Sequence, residues 1–382
     1  MTIHSASVFA GLWLVAAQGP TTATRIVTVV NPIDAERPAE TIALAAPALL
    51  EALQVKDVRT VRVRDDKSGQ DLLTQAVDLN DDGTFDELIF QADLGAKETR
   101  RFTLTVGERR IPTREEYRAY GRFNRERRDD FAWENDRVAH RMYGAALETW
   151  AQEPLTSSGL DVWVKRTRRL VINDWYMIDD YHRDTGEGAD LYSAGRTRGC
   201  GGSGLLVGGK LFSPPNFRNT RVLAQGPIRV MFELIYEPWE AGGTKTSETR
   251  RVTLDAGSHV NRFDLTFQPA PAGAELAAGV RINPGQAAQP TPATGVLRTW
   301  EPLKQDGHLG CAVIVPGMTR SLVTDGSTLA LGPLATSGAT TYYSASAWDR
   351  GGDIKDVAAF DAYLAREAQR RQAPVRIELG AR

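Results

Sequence analysis

Short runs of alternating apolar and polar residues, each followed by glycine, proline or asparagine, recur along almost the whole of this chain. Such alternation is typical of strands that bury one face, and strands joined by tight turns favour antiparallel sheets packed face to face. A chain of 382 residues has room for one large β domain or two ordinary ones. We therefore predict an all-β, mainly antiparallel fold dominated by a large β-sandwich. The runs that carry this prediction include Arg25–Val30, Val61–Arg64, Arg101–Val106, Val162–Val164, Ile228–Tyr236, Arg250–Leu254, Asn261–Phe267, Cys311–Val315 and Thr340–Trp348.

Changes in composition divide the chain into blocks. Residues 25–107 are predicted to form a small N-terminal β unit, and residues 108–130 a charged connector rich in Arg and Glu with some helical character. Residues 131–382 are predicted to form the main β-sandwich. Near the end, Asp356–Arg371 shows the apolar stripe of a helix, and a short strand, Val375–Leu379, follows Pro374.

The N-terminus resembles a secretory leader. An apolar run, Ala6–Ala17, is too short to span a bilayer and ends in Val15-Ala16-Ala17 before Gln18, a small-residue pattern typical of a cleavage site. No Lys or Arg precedes the run, which leaves a miscalled start as the alternative. We expect residues 1–17 to be a signal peptide and the protein to be periplasmic or secreted. No later segment is apolar for long enough to predict a membrane span.

Charge and cysteine content exclude several classes of protein. The formal net charge is −2, with 46 basic and 48 acidic residues, so no basic excess indicates a nucleic-acid partner. The two cysteines, Cys200 and Cys311, can form at most one bridge, and their spacing fits no zinc motif. They are either a disulfide or two buried thiols.

One acidic loop is similar to a calcium-binding loop. Asp78, Asn80, Asp82 and Asp86, with Gly83 at the turn, have the spacing of oxygen ligands around Ca²⁺. The position of the final bidentate Glu is occupied by Ile, and the flanking residues look like strands. A structural calcium ion and a plain hairpin turn both remain open, and no other cofactor is predicted to be required.

A first candidate cluster for chemistry lies between residues 131 and 144. If this stretch is extended, Glu134, Asp136 and His140 project from one face and could supply acid–base catalysis. Trp133 could stack on the apolar face of a sugar ring. The alternative is a rim strand whose charges are solvated or ion-paired.

A second cluster spans residues 163–204. Tyr181 and His182 are the best candidates for proton transfer, because imidazole titrates nearest neutrality and a Tyr can act beside cations. Arg196 and Arg198 would face the same side of an extended segment, where their guanidinium groups suit a carboxylate. Candidates for further substrate contacts are Trp163, Lys165 and Asp190, and glycines 199, 201, 202 and 204 could let the backbone approach a ligand.

Several motifs in the middle of the chain can be recognised together. They are Glu134-Asn135-Asp136-Arg137, Gly159-Leu160-Asp161-Val162-Trp163, Asp174-Trp175-Tyr176, Tyr181-His182 and the stretch from Gly186-Glu187-Gly188-Ala189-Asp190 to Cys200-Gly201-Gly202. With them the chain resembles domain-of-unknown-function family 4861 over nearly the whole of the expected mature chain. The resemblance implies a secreted bacterial protein that accompanies polysaccharide-degrading enzymes, with a β-supersandwich like that of galactose mutarotase. That fold hosts several reactions, so it is a weak guide to chemistry.

The leading functional hypothesis is a carbohydrate-active enzyme that acts on uronic-acid-containing oligosaccharides by β-elimination. Arg196 and Arg198 would neutralise the uronate, His182 or Tyr181 would remove the C5 proton, and Tyr181 or His140 would assist the leaving oxygen. Hydrolysis is an alternative, with Glu134 or Asp136 paired with one of the acids Asp180, Glu187 and Asp190. Epimerisation or mutarotation of a free sugar, and a non-catalytic glycan-binding module, are further alternatives.

Overall fold

Antiparallel strands dominate the computed structural model, which describes residues 24–178, 181–324 and 326–380. The predicted signal peptide lies outside these residues. The predicted fold class, an all-β supersandwich with a smaller N-terminal β unit and a short C-terminal helix, is confirmed. In the described part of the chain, no helix is long and apolar enough to cross a membrane.

The first part of the chain forms seven strands and one helix. They are β1 (Arg25–Val30), β2 (Arg37–Ala45), α1 (Ala46–Leu53), β3 (Val61–Asp65), β4 (Asp71–Leu72), β5 (Thr74–Val77), β6 (Glu87–Leu94) and β7 (Thr99–Val106).

The middle of the chain forms five strands and a short helix. They are β8 (Ala119–Asn124), β9 (Asp130–Asn135), β10 (Ala139–Met142), β11 (Asp161–Lys165), α2 (Ile172–Tyr176) and β12 (Gly188–Ala189).

The remaining strands and the last helix follow. They are β13 (Cys200–Val207), β14 (Lys210–Phe212), β15 (Asn219–Ala224), β16 (Arg229–Ala241), β17 (Thr244–Asp255), β18 (Val260–Gln268), β19 (Glu275–Arg281), β20 (Gln289–Thr291), β21 (Val296–Pro302), β22 (His308–Ile314), β23 (Arg320–Thr324), β24 (Ser327–Gly332), β25 (Ala339–Trp348), α3 (Val357–Gln372) and β26 (Arg376–Leu379).

The N-terminal unit is built from two sheets of its own. One has the strand order β26-β1-β7-β3-β4 and the other the order β2-β6-β5. Apolar side chains of both sheets, including Val27, Ile42, Phe90 and Phe102, pack with α1 into a separate core. Strand β26 pairs with β1, so the last strand of the chain belongs to this unit rather than to the main sandwich.

Three larger sheets form the main sandwich. An eight-stranded sheet, β15-β16-β17-β18-β25-β22-β21-β20, packs on two five-stranded sheets, β14-β13-β19-β24-β23 and β12-β11-β10-β9-β8. The apolar core between them contains Phe131, Trp133, Phe232 and Phe263, all without exposed surface. Helix α3 covers the outer face of the eight-stranded sheet through Phe360 and neighbouring apolar residues.

One local expectation needs revision, and one open alternative is decided. The predicted charged connector contains strand β8, which pairs with β9 from Ala119 to Asn124 because its buried positions are Ala119, Gly121 and Asn124 rather than its arginines. The two cysteines are bonded to each other as a disulfide, which links β13 of one sheet to β22 of the facing sheet.

The sheet β12-β11-β10-β9-β8, called here the small sheet, is buried on both faces. Its inner face packs into the sandwich core. Its outer face is covered by α2 and by the segment around Tyr181, which contribute Val171, Ile172, Trp175 and Tyr181 to a second apolar cluster. The outer face nevertheless carries charged residues, which are Asp130 and Glu134 on β9, Arg141 on β10, and Asp161 and Lys165 on β11.

An ion pair at one end of this face fixes helix α2. Lys165 Nζ lies 2.6 Å from Glu134 Oε2, and neither side chain has exposed surface. The other oxygen, Glu134 Oε1, accepts hydrogen bonds from the backbone N–H groups of Val171 and Ile172 at 2.7 and 2.8 Å. The carboxylate therefore satisfies donors at the start of α2, which a short helix cannot satisfy itself.

Substitution Glu134→Gln should lower the free energy of unfolding by about 3 kcal/mol, because it leaves the buried Lys165 ammonium without a counter-charge. The double variant Glu134→Gln/Lys165→Met should recover most of this loss. Urea unfolding of the two single variants and the double variant measures the coupling. Glu275→Gln, which breaks the surface pair with Arg320, is the matched control and should cost less than about 1 kcal/mol. Equal losses in Glu134→Gln and Glu275→Gln would contradict the structural role of Glu134.

Candidate active site

A cleft of about 460 Å³ opens at the other end of the outer face of the small sheet. Three parts of the chain form its walls. The small sheet contributes Asp130, Arg141 and Asp161, the segment after β12 contributes residues 190–193 and 195, and the loop between β21 and β22 contributes residues 303–306. His182 also lines the cleft. Polar groups from distant parts of the sequence thus converge in one concave place, as in most ligand sites.

Three buried carboxyl groups surround one buried guanidinium group in this cleft. Arg141 Nε donates to Asp161 Oδ2 at 2.7 Å, and its Nη2 lies 3.0 Å from Asp190 Oδ2. Asp130 Oδ2 lies farther away, 3.8 Å from Arg141 Nη1. The pairing of β10 with β9 and β11 places Arg141 between the two strands that carry Asp130 and Asp161. We call these four residues the carboxylate cluster.

A single buried guanidinium group cannot neutralise three buried carboxylates. Some of the carboxyl groups therefore hold protons. Burial, opposed by Arg141, raises the pKa of Asp130 to about 7. Burial likewise raises the pKa of Asp190, with Asp161 adding to the effect. The pKa of Arg141 is raised well above its usual value because the three acids outweigh its own burial. One carboxyl oxygen of Asp130, one of Asp161 and both of Asp190 have no hydrogen-bond partner among the described residues. The cluster can therefore hold and donate protons near neutral pH.

His182 lies beside this cluster and is half-exposed. Its Nδ1 is 3.1 Å from the backbone oxygen of Asp190 and 3.4 Å from Asp190 Oδ2. With Nδ1 as the donor in these contacts, Nε2 keeps a free lone pair. The ring also contacts Tyr181, with 4.5 Å between the ring centroids.

Two cations in the cleft have no ion pair with a described residue. The Arg127 guanidinium lies 5.8 Å from the ring centre of Tyr181 and 5.7 Å from that of Trp150. Lys304 stands at the tip of the loop between β21 and β22, with a left-handed backbone (φ 51°). Both are available to an anionic ligand.

Of the residues singled out in the sequence, Asp190 and His182 line the cleft and Tyr181 lies just behind it. The Tyr181 hydroxyl is 3.4 Å from Arg141 Nη1, and burial raises the pKa of Tyr181, so the phenol makes a poor base. Trp163 is buried under the site and stacks on Trp175 with 5.6 Å between ring centroids. It supports the floor of the site but does not present its face to a sugar.

The predicted common face of Glu134, Asp136 and His140 does not form, because β9 ends at Asn135 and a turn precedes β10. Glu134 is buried in its pair with Lys165, which also removes Lys165 from the cleft surface. Asp136 lies in the turn, where it accepts a hydrogen bond from the Gly257 N–H at 2.6 Å.

His140 and Trp133 point into the core from the inner face of the small sheet. His140 Nε2 is 3.2 Å from Ser346 Oγ, and the Trp133 indole N–H donates to Asn261 Oδ1 at 2.7 Å. Burial lowers the pKa of His140 to about 3, so the ring is neutral. Neither side chain reaches a ligand, because alternate residues of a strand face opposite sides of a sheet.

The predicted arginine clamp does not form either. Residues 195–198 make a turn, so Arg196 is exposed while Arg198 points inward. The Arg198 guanidinium donates to Ser158 Oγ at 2.5 Å and to Ser213 Oγ at 2.7 Å. Burial lowers the pKa of Arg198 to about 10. Both arginines lie outside the lining of the cleft.

The glycines after Arg198 are needed for close packing within the protein. They do not let a ligand approach the backbone, as the sequence suggested. A Cβ on Gly199, which has a φ of +59°, would lie 2.1 Å from the backbone oxygen of Leu160. Side chains at positions 201, 202 and 204 would meet protein atoms at 2.4 Å. Strand β13 therefore needs glycine to pack against its neighbours.

The acidic loop between β5 and β6 uses its side chains internally. Asp78 accepts hydrogen bonds from the N–H groups of residues 80, 81 and 83, and Asn80 and Asp82 each cap the residue two positions ahead. Asp86 accepts from the N–H of Leu79 at 2.6 Å. This geometry favours the hairpin turn. Within the described ranges, no three His, Cys, Asp or Glu residues are grouped so that they could hold a metal ion.

The sequence reasoning missed Asp130, Arg141, Asp161 and the two cations of the cleft. The signal it could have used is a period-two pattern of charge within apolar strands. Asp161 is followed two and four residues later by Trp163 and Lys165, and Asp130 is followed four residues later by Glu134. Charges that alternate with core residues indicate a sheet face that is polar but still covered.

The fold and this cleft together define a β-supersandwich protein with a buried acid–base cluster at one end of a covered sheet. The family model described as "Domain of unknown function (DUF4861)" matches residues 29–377, and the chain belongs to this family. An uncharacterized protein, P7, of Formosa agariphila is 30% identical over 380 residues, covering 93% of both chains.

Two solved structures from Enterococcus faecalis have a similar fold. A protein in the glycosyl hydrolase family 38 is superposed with a TM-score of 0.53 at 12% identity, and an alpha-mannosidase with a TM-score of 0.51 at 13% identity. Each comparison covers 94% of this chain but only 48% and 46% of those proteins. The chain therefore spans about half the length of the structures it resembles, and at this identity the likeness shows the fold alone.

Substitution Asp130→Asn should make the protein more stable relative to the wild type as pH rises. The folded wild type keeps the Asp130 proton up to about pH 7, whereas the unfolded chain releases it near 3.8. The free energy of unfolding that this proton contributes is fully present below pH 3.8. It is lost progressively as pH rises from 3.8 through 7. The difference between variant and wild type should grow by about 1.4 kcal/mol per pH unit in this window. Urea unfolding at several pH values measures it, and the exposed Asp34→Asn should show no such trend.

Substitution His140→Gln should have the opposite pH dependence. The pKa of His140 falls from 6.5 in the unfolded chain to about 3 in the fold, so its contribution is present above 6.5 and is lost as pH falls towards 3. The variant should be less stable than the wild type by about 2 kcal/mol at neutral pH, through lost packing. That deficit should shrink as pH falls from 6.5. A constant deficit would show that the pKa of His140 is the same in the folded and the unfolded chain, and would contradict the lowering by burial. His308→Gln, at a half-exposed site, is the control.

Proposed function

We propose that this protein is a carbohydrate-active enzyme that acts on uronic-acid-containing oligosaccharides by β-elimination. The observation that carries the proposal is the meeting of a half-exposed imidazole, carboxyl groups that hold protons near neutral pH and two unpaired cations in one cleft. β-Elimination needs these three elements: a base, an acid and a group that neutralises the uronate.

His182 is the base of the proposed reaction. Its Nδ1–H contacts the backbone oxygen of Asp190, which leaves Nε2 free to take the proton from C5 of the uronate. Asp190 acts as the orienting group, because its backbone oxygen and carboxyl group both lie within 3.4 Å of Nδ1. This is the arrangement in which one ring nitrogen is fixed and the other is used.

Arg127 and Lys304 neutralise the uronate carboxylate in place of the predicted Arg196 and Arg198. Arg141 cannot take this part, since its guanidinium is already bound by Asp161 and Asp190. Neutralising the carboxylate makes the C5 proton more acidic, and an unpaired cation supplies that charge without first breaking a salt bridge.

Asp130 is the acid. Its pKa of about 7 lets it hold a proton at neutral pH and give it up to a leaving oxygen. In the elimination, the C5–H electrons form the C4=C5 double bond, the C4–O bond breaks, the imidazole keeps the C5 proton and the leaving oxygen takes the proton of Asp130. The products are an unsaturated uronate and an alcohol.

Hydrolysis is a second candidate, favoured by the three carboxyl groups of the cluster. Asp161 is held in an ion pair with Arg141, whereas Asp130 tends to be protonated. Two carboxyl groups kept in different protonation states are what a glycosidase uses as nucleophile or base and as acid. Only elimination creates a conjugated unsaturated uronate, so ultraviolet absorbance of the product distinguishes the two reactions.

We further propose an extracytoplasmic location. The disulfide between Cys200 and Cys311 supports it, because such bonds persist mainly in oxidising compartments. The leader-like run at the start of the chain agrees with this location.

His182→Ala should reduce turnover of uronate-containing oligosaccharides at least 100-fold without a change in melting temperature, since the side chain is half-exposed. Arg127→Ala should reduce kcat/KM about 10-fold or more. The exposed Arg196→Ala is the matched arginine control and should leave both unchanged.

The assay is the rise in ultraviolet absorbance of the unsaturated product over a panel of uronate-containing oligosaccharides. New reducing ends without absorbance would instead support hydrolysis. Binding without any product would support the glycan-binding module. Full activity of His182→Ala would exclude His182 as the base.

A further inference from the structure

A second cavity of about 290 Å³ adjoins the cleft and is lined by a different kind of surface. The two cavities share residues 191–193, 303 and 304, so they are neighbouring lobes of one groove. We call the cleft with the carboxylate cluster the first lobe and the adjoining cavity the second lobe. Tyr192 and Leu303 stand at the junction between them.

The second lobe is mostly apolar. Its own lining residues include Pro302, Leu309 and Cys311 of the disulfide, and Thr299. The Thr299 hydroxyl donates to the backbone oxygen of Cys311 at 3.4 Å, so it is directed to the protein. An apolar lining suits the C–H face of a sugar ring, and the aromatic ring of Tyr192 at the junction adds a stacking surface.

The charged and amide side chains that line the second lobe alone, those of Arg281, Asn283 and Glu301, are already engaged by the protein. Arg281 donates to the backbone oxygen of Ser193 and, at 2.7 Å, to Asn283 Oδ1, and its guanidinium lies 5.5 Å from the ring centre of Tyr192. Glu301 Oε1 accepts from the Asn283 N–H at 3.0 Å, and burial raises the pKa of Glu301. Arg281 thus fixes the 192–193 segment and is not free to bind a carboxylate.

The two lobes differ in the cations that they offer to a ligand. Arg127 is unpaired within the described residues and lines the first lobe alone, and Lys304 stands where the lobes meet. The residues that belong to the second lobe alone offer no cation that is not already engaged by the protein, so a second carboxylate placed there would lose its hydration without compensation.

We propose that the second lobe is a subsite for an uncharged sugar residue, adjacent to the uronate bound in the first lobe. This inference rests on the proposed function for the identity of the first sugar. It makes the preferred ligand an oligosaccharide in which a uronate is linked to a neutral sugar, rather than a homopolymer of uronates or a free monosaccharide.

The test is calorimetric binding of oligosaccharides of defined length to the full chain carrying His182→Ala, which prevents turnover during the titration. The probes are a free uronate, a tetrasaccharide of alternating uronate and neutral sugar, and a tetrasaccharide of uronates only. We expect the alternating tetrasaccharide to bind at least 10-fold more tightly than either of the other two. Equal affinity for the two tetrasaccharides would overturn the neutral-sugar assignment.

A second substitution, Pro302→Trp, is combined with His182→Ala and places a bulky side chain at the exposed rim of the second lobe. It tests whether that lobe contributes to binding. It should weaken binding of the alternating tetrasaccharide at least 10-fold and leave the free uronate within twofold. Val323→Trp, at an exposed position of β23, is the matched control and should change neither. Asn283→Trp, which lines the second lobe alone, should show the same selective loss if Pro302→Trp fails to fold. Equal weakening of both ligands, or no weakening, would overturn the subsite.

These outcomes separate the subsite from the reaction. Selective binding at the second lobe without an unsaturated product from the wild type would leave the subsite standing and remove β-elimination. An unsaturated product together with binding that does not depend on oligosaccharide length would support β-elimination and remove the subsite. No binding of any probe would remove the subsite.

Discussion

The site depends on the double burial of the small sheet. Strands β9, β10 and β11 have an inner face that belongs to the main core and an outer face that is covered by α2 and the segment around Tyr181. Sheets with one solvated face can leave charges in water, but this sheet cannot. Every charge on its outer face must therefore be paired, hydrogen-bonded or neutralised by a proton.

The two ends of the outer face meet this demand in different ways. At one end, Glu134 and Lys165 form a one-to-one pair, and the surplus lone pairs bind the start of α2. At the other end, one arginine faces three carboxyl groups, and the imbalance is met by protonation. The balanced end stabilises the fold, whereas the unbalanced end opens into the cleft. A surplus of acid beside open space is what makes this end suited to proton transfer.

Local pattern was enough to predict many of the strands, including the final one, and the terminal helix, because alternation and capping residues act over a few positions. Asp356, for example, caps α3 by accepting from the N–H of Ala359. The same local reasoning brought Asp190 and His182 to attention, since they lie in one chemically dense segment. It failed for Arg198, whose chemistry suits an anion but whose turn directs it into the protein. It failed also for His140, because a turn before β10 puts it on the opposite face from the cleft.

The sequence by itself determined the class of fold, the terminal helix with the strand that follows it, and the short list of residue types able to do acid–base chemistry. Those properties follow from periodicity and composition, which do not depend on distant partners. Only the tertiary structure decided which of those residues share a cleft. Asp130, Arg141, Asp161 and Asp190 come from four strands or loops, and the protonation of Asp130 and Asp190 is set by burial and by distance from the other charges. Distances between separate strands and the depth of each side chain are fixed by packing, which no local pattern specifies.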